Sequence, residues 1–145
     1  MKRNNPIINS DFPDPDIIRV EDTYYMASTT MHYMPGCDIL RSFDLMNWEF
    51  VTHAYETLAD NEAYQLANEK EAYGKGMWAP SFCFHNGTFY ITFTSNDLQK
   101  TILLTSQNIE KEWMKSEIEG FFYDGSLFFD DDEKVLSLYK CNGYA

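Results

Sequence analysis

Basic residues are scarce in this 145-residue chain: 11 Lys and Arg stand against 23 Asp and Glu, a formal net charge of −12. Such a balance repels polyanions, and no local basic patch offsets it, which argues against nucleic acid and anionic lipid surfaces as partners. Cysteine is sparse as well. Cys37, Cys83 and Cys141 are odd in number, widely spaced and outside any Cys-x-x-Cys pattern, so neither a disulfide framework nor a zinc site is implied, and buried reduced thiols are the expectation. Nowhere do about 18 apolar residues run together, and the opening Met1-Lys2-Arg3-Asn4-Asn5-Pro6 lacks the apolar core of a signal peptide. The chain as given therefore reads as cytoplasmic, with no membrane partner. Only 7 Gly and 5 Pro occur, without a low-complexity tract, which excludes a disordered or fibrous chain. A Gly-rich phosphate loop, a Gly-x-Ser-x-Gly elbow and a His-Glu-x-x-His helix are missing too, so the familiar signatures of nucleotide, serine-hydrolase and zinc-protease chemistry are absent.

What the chain does have is apolar and aromatic bulk, 44% and 17% of its residues, enough to fill a core. Helical periodicity is scarce. Short β-branched and aromatic runs recur instead at 17–20, 24–29, 39–41, 82–84, 88–94, 102–105, 127–129 and 135–139, which predicts an all-β chain. Only 61–72 has helix-forming composition, and it predicts a short helix or a loop insertion.

Windows starting at Asp14, Ala79 and Asp124 align without a gap as strand, two-residue turn, strand. The turn pairs are Glu21-Asp22, Asn86-Gly87 and Asp131-Asp132, of which Asn-Gly is the strongest hairpin signal because a type I′ turn needs positive φ at both central residues. That turn also explains the glycosylation-like Asn86-Gly87-Thr88. Downstream, the run Ile39 to Leu45 leading to Trp48 parallels Leu103 to Ile109 leading to Trp113, so each unit should hold four strands, with the two tryptophans packing between units. Four-stranded units of about 40 to 50 residues are the signature of propeller blades, and a propeller closes with about 4 to 8 of them. Two complete units, about 14–60 and 77–118, and the start of a third, 121–145, with an insertion at 61–74, cannot close a ring. The chain should therefore be the front part of a larger architecture, or copies of it should cover each other's open edges by self-association.

Prolines flank Asp14 in Phe12-Pro13-Asp14-Pro15-Asp16, which predicts a stiff, extended mount for its carboxylate at the mouth of a strand. A turn carboxylate is the competing reading. Asp124 holds the matching place in unit three, so in a propeller both carboxylates should face one cavity, where like charges favour proton sharing. Trp78 stands beside the matching place in unit two, where its flat face suits a sugar ring as readily as a core. His32 follows the second strand, at a pocket rim or simply at the surface. The acidic run Asp130 to Glu133 reads as a solvated hairpin tip, since the ligand spacing of a calcium loop is missing.

Taken with Pro35-Gly36, Ser42-Phe43-Asp44, Gly76-Met77-Trp78-Ala79-Pro80 and Tyr123-Asp124-Gly125-Ser126, these residues resemble glycoside hydrolase family 43 up to about Val135. That family comprises five-bladed β-propellers with β-xylosidase, α-L-arabinofuranosidase and arabinanase members. The resemblance implies an all-β fold, here a partial five-bladed propeller of two complete blades plus the start of a third. It matches Asp14 to the general base of an inverting hydrolase and Asp124 to the aspartate that tunes the acid. It also places Trp78, Met31 and His32 at the sugar pocket, with a xylo- or arabino-oligosaccharide as partner. It leaves a channel calcium ion open as a cofactor. No glutamate here matches the family's general acid, so the chain alone should be inactive or nearly so. A non-catalytic sugar-binding or self-associating module is the alternative. A sialidase-like reading of Ser42-x-Asp44 and Trp48 ranks last, because the Gly of that motif is absent.

Overall fold

The computed structural model describes residues 5–131 and the backbone of 135–138. Ten strands follow one another in chain order: β1 (Asp16–Val20), β2 (Thr23–Ser28), β3 (Gly36–Ser42), β4 (Glu49–Tyr55), β5 (Ser81–His85), β6 (Thr88–Ser95), β7 (Lys100–Ser106), β8 (Met114–Ile118), β9 (Ser126–Phe129) and β10 (Val135–Leu138). They form two four-stranded antiparallel meanders, β1–β4 and β5–β8, and a β9–β10 hairpin. β1 runs beside β5 and β5 beside β9, so the first strands of the three units are neighbours.

The repeat is written in the backbone as well as the sequence. Val20 pairs with Thr23 around Glu21-Asp22, and His85 with Thr88 around Asn86-Gly87. Asn86 and Gly87 have φ of 46° and 76°, the pair of positive values a type I′ turn demands. Ser42 and Ser106 then cap the same turn in each unit: Leu45 N–H donates to Ser42 Oγ at 2.9 Å, and Asn108 N–H to Ser106 Oγ at 3.2 Å. In the first unit Asp44 Oδ1 also accepts the N–H groups of Met46 and Asn47, both at 2.8 Å. Bonds from the Asn47 backbone and side chain, then from Met46, hold the Asp44 carboxyl down at about 2. Ser42-x-Asp44 is thus a self-contained turn rather than a ligand site.

The third hairpin departs from the expected pattern. Phe129 pairs with Val135, whereas a two-residue turn at Asp131-Asp132 would set it opposite Lys134. The connection is therefore longer than two residues; residues 132–134 lie outside the described residues, as does Cys141. The 61–72 segment also resolves to one of its two readings. It is an irregular loop rather than a helix, in which the turn started by Asn61 is broken by positive φ at Leu66, Asn68 and Glu69.

Between the two meanders lies the core. Ala27, Cys37 and Ile39 of the first meet Phe82, Phe89, Ile91, Phe93, Ile102 and Leu104 of the second. Fully burying each large side chain is worth about 1.5–3 kcal/mol. Burial pushes the Cys37 thiol well up, and burial with the nearby Asp16 lifts Cys83 to about 11, so both stay protonated and unreactive at neutral pH. Trp113 packs on Phe89 within this core, with ring centroids 6.4 Å apart. Trp48 does not join it; it lies on the opposite face of β1–β4 with Ile17, Met26 and the N-terminal Ile7 and Ile8. Only one of the two expected packing tryptophans therefore sits between the described sheets.

Candidate functional site

At the ends of the inner strands one cavity of about 380 Å³ is lined by Asp14, Thr29, Met31, Gly74, Trp78, Ala79, Tyr123 and Asp124. This size falls within the range of about 300–1,000 Å³ that small-ligand pockets occupy. Its walls come from four segments far apart in sequence, so the assembly depends on how the units pack.

Asp14 reaches the cavity by a route its prolines did not suggest. Its φ is 46°, in the left-handed region rather than extended. The preceding carbonyl of Pro13 accepts from both Ser28 Oγ at 2.7 Å and Thr29 N–H at 3.2 Å, which anchors the chain to the end of β2 and forces it to reverse at Asp14 before β1 begins. Aspartate tolerates this conformation better than most residues, and strain of this kind concentrates at functional positions. Asp124 has φ of 49° at the matching place, so the two carboxylates share a backbone geometry as well as a cavity. Both are exposed. Two residues on, Asp16 turns the other way and its Oδ2 accepts from Phe82 N–H at 2.7 Å, tying β1 to β5 directly behind the cavity.

Trp78 is fixed by the residue before it. Met77 is fully buried, its N–H donates to Met31 O at 3.0 Å, and its carbonyl accepts from Thr29 Oγ1 at 2.8 Å. Trp78 N–H donates to Thr94 O at 3.0 Å, so 77–78 forms a short strand-like bridge between the two sheets. The indole meets Tyr123 edge to face at 5.7 Å, making an aromatic corner above Asp124. Tyr123 escaped the sequence reading of the site, although its place directly before Asp124 was the available signal.

Met31 lines this cavity but His32 does not. With Met31 at φ 50° and pinned to Met77, the next residue swings to the far side of the loop, where His32 packs between Tyr33 and Tyr73 at 4.3 and 4.9 Å. Asp97, unsuspected from sequence, clamps the bridge from below: its carboxylate accepts from Tyr64 at 2.8 Å, Ser95 at 2.9 Å and Gly76 N–H at 3.1 Å. Partial burial pushes this carboxyl up, but the donors outweigh it and hold the group below the usual carboxylate range. A lowered folded value means that its contribution is present above the unfolded value and is lost as pH falls through the folded one. Acid titration followed by circular dichroism should thus show a stability loss in that window, and Asp97→Asn should remove that part of the pH dependence. Among the described residues no group of three or more His, Cys, Asp or Glu is placed to hold a metal ion. No helix among them is long and apolar enough to cross a membrane.

Comparison with known proteins gives this arrangement its family. The model of glycosyl hydrolases family 43 matches residues 3–143, and the chain belongs to that family. A beta-xylosidase of Formosa agariphila is 36% identical over 136 residues, covering 88% of this chain and 22% of its own length. A non-reducing end alpha-L-arabinofuranosidase of Bacteroides ovatus is 34% identical over 131 residues, 88% of this chain and 24% of its own. Among solved structures, a bifunctional GH43-CE protein of Bacteroides eggerthii superposes with a TM-score of 0.88 at 41% identity, over 94% of this chain and 19% of that one. The chain thus spans about a quarter or less of the length of these relatives.

Proposed function

We propose that the cavity is the sugar-binding half of a glycosidase active site for β-xylosides or α-L-arabinofuranosides, in which Asp14 is the general base. The observation that carries this is the convergence of Asp14, Asp124 and Trp78 on one cavity from three separate repeat units. In an inverting reaction Asp14 takes a proton from water as its oxygen attacks the anomeric carbon. The glycosidic C–O bond breaks on the opposite side, and an acid protonates the departing oxygen. Asp124 orients that acid and sets its protonation. The acid itself is a glutamate that this chain does not supply: among the described residues the cavity wall contains Asp14 and Asp124 but no glutamate.

The two meanders and the hairpin are, on this reading, blades one (14–60) and two (77–118) and the start of blade three (121–145) of a five-bladed propeller, with 61–74 an insertion. Self-association is a second reading with its own support, because the face of β1–β4 turned away from the core leaves Ile7 47%, Ile17 44% and Phe50 55% exposed.

Isothermal titration of xylose and of arabinose tests the pocket. Saturable binding of at least one sugar is expected, weakened at least about tenfold by Trp78→Ala through loss of the aromatic wall. Binding that Trp78→Ala leaves unchanged, or no saturable binding of either sugar, contradicts the assignment.

A further inference from the structure

We propose that Tyr123 is a positioning residue of the sugar site: its ring sets the plane of the Trp78 indole, and with it the orientation of the sugar against Asp124. The inference rests on the reading of the cavity as a sugar pocket.

The backbone of Trp78 is fixed from its own unit. Its N–H donates to Thr94 O at 3.0 Å and the preceding Met77 is fully buried, which places the Cα and leaves the two side-chain torsions to the neighbours of the ring. Among the described residues Tyr123 is the only aromatic ring that meets the indole, with centroids 5.7 Å apart and planes at 77°. An edge-to-face pair has a preferred angle, because the positive edge of one ring faces the negative face of the other. Unlike an aliphatic contact, it therefore orients the indole as well as covering it.

Tyr123 is itself firmly mounted. Gly125 N–H donates to Phe122 O at 3.1 Å, closing a four-residue turn with Tyr123 and Asp124 at its centre. Of these two only Asp124 has positive φ, 49°, which is the type II pattern. The turn is tied to β7 through Thr101, which is buried: Phe122 N–H donates to Thr101 Oγ1 at 2.9 Å, and that hydroxyl donates to Gly120 O at 2.9 Å. One turn thus carries both the ring that meets Trp78 and the carboxylate assigned to orient the acid, and both residues line the cavity. Trp78 and Asp124 belong to different units, and Tyr123 is the side chain that registers one against the other.

Calorimetric titration with xylose and arabinose decides it, read on the sugar that the unmodified chain binds more tightly. Tyr123→Ala should weaken binding about fivefold, the order of effect an edge-to-face aromatic pair supplies. Tyr123→Leu, which keeps apolar bulk and so protects the fold, should fall with it, whereas Tyr123→Phe, which restores the ring, should recover binding to within about twofold of the unmodified chain. In a Trp78→Ala background, Tyr123→Leu should change affinity by less than about twofold, because its route through the indole is gone. The indole bands of the near-ultraviolet circular dichroism should change in Tyr123→Leu and return in Tyr123→Phe. A Tyr123→Leu variant with unaltered affinity or unaltered indole bands overturns the positioning role and leaves the pocket standing. So does a Tyr123→Phe variant as weak as Tyr123→Leu, or a loss as large in the Trp78→Ala background as in the unmodified chain. Failure of both sugars to bind the unmodified chain overturns the pocket, and the positioning role with it.

Discussion

Gly76→Ala is expected to cost about 3 kcal/mol of stability, a fall in Tm of about 10 °C for a chain of this size. Gly76 has φ of +80°, and a Cβ built on it would lie 2.2 Å from the Met31 carbonyl oxygen and 2.9 Å from the Met31 carbonyl carbon. Neither atom can move without dissolving the hydrogen bond from Met77 N–H to Met31 O that joins the loop after β2 to the segment before Trp78. Gly74→Ala is the matched control. Its φ is +69°, but nothing lies within 4 Å of its Cβ position, so it should lose only the conformational part, about 1 kcal/mol. Thermal denaturation of the two variants separates close approach from backbone preference; equal losses would mean that the Met31–Met77 bridge contributes nothing.

Asp14→Asn carries the largest expected effect on chemistry. Asparagine accepts left-handed backbone as readily as aspartate, so the reversal before β1 and the bonds to Pro13 O should persist with little change in Tm. The amide cannot take a proton from water. On the proposed assignment, with Asp14 as the base and the acid not supplied by this chain, only glycosides whose leaving group departs without protonation, such as dinitrophenyl glycosides, should be hydrolysed, and Asp14→Asn should lower even that rate by about 10³-fold. Unactivated alkyl glycosides should already be slower by a comparable factor.

Much of this was legible in the sequence, for identifiable reasons. Hairpins announce themselves locally, through alternation and through turn residues such as Asn86-Gly87, and the ungapped repeat then told which positions share a place in each unit. That equivalence is why Asp14 and Asp124 could be paired across 110 residues before any coordinates. What escaped depends on contacts between units that no local pattern encodes. The close approach of Gly76 to Met31, the clamp of Asp97 on Tyr64 and Gly76, and the bond from Phe82 N–H to Asp16 all join segments from different elements. Local rules also misled in places. Prolines around Asp14 argued for extension, but two hydrogen bonds to Pro13 O bend the chain there. The loop that places Met31 in the cavity turns its neighbour His32 out of it. The third hairpin pairs Phe129 with Val135 rather than in the register of the first two.

Residues 61–74 form no regular element, yet they contribute Tyr64 to the Asp97 clamp and Gly74 to the cavity wall.

The most direct measurement is a comparison of initial rates on dinitrophenyl and alkyl β-xylosides and α-arabinofuranosides, for the unmodified chain and for Asp14→Asn. A base without its acid predicts slow turnover confined to the dinitrophenyl glycosides and lost in Asp14→Asn. Alkyl glycosides hydrolysed as fast as activated ones, or an Asp14→Asn variant as active as the unmodified chain, would contradict the assignment of Asp14 and the absence of the acid.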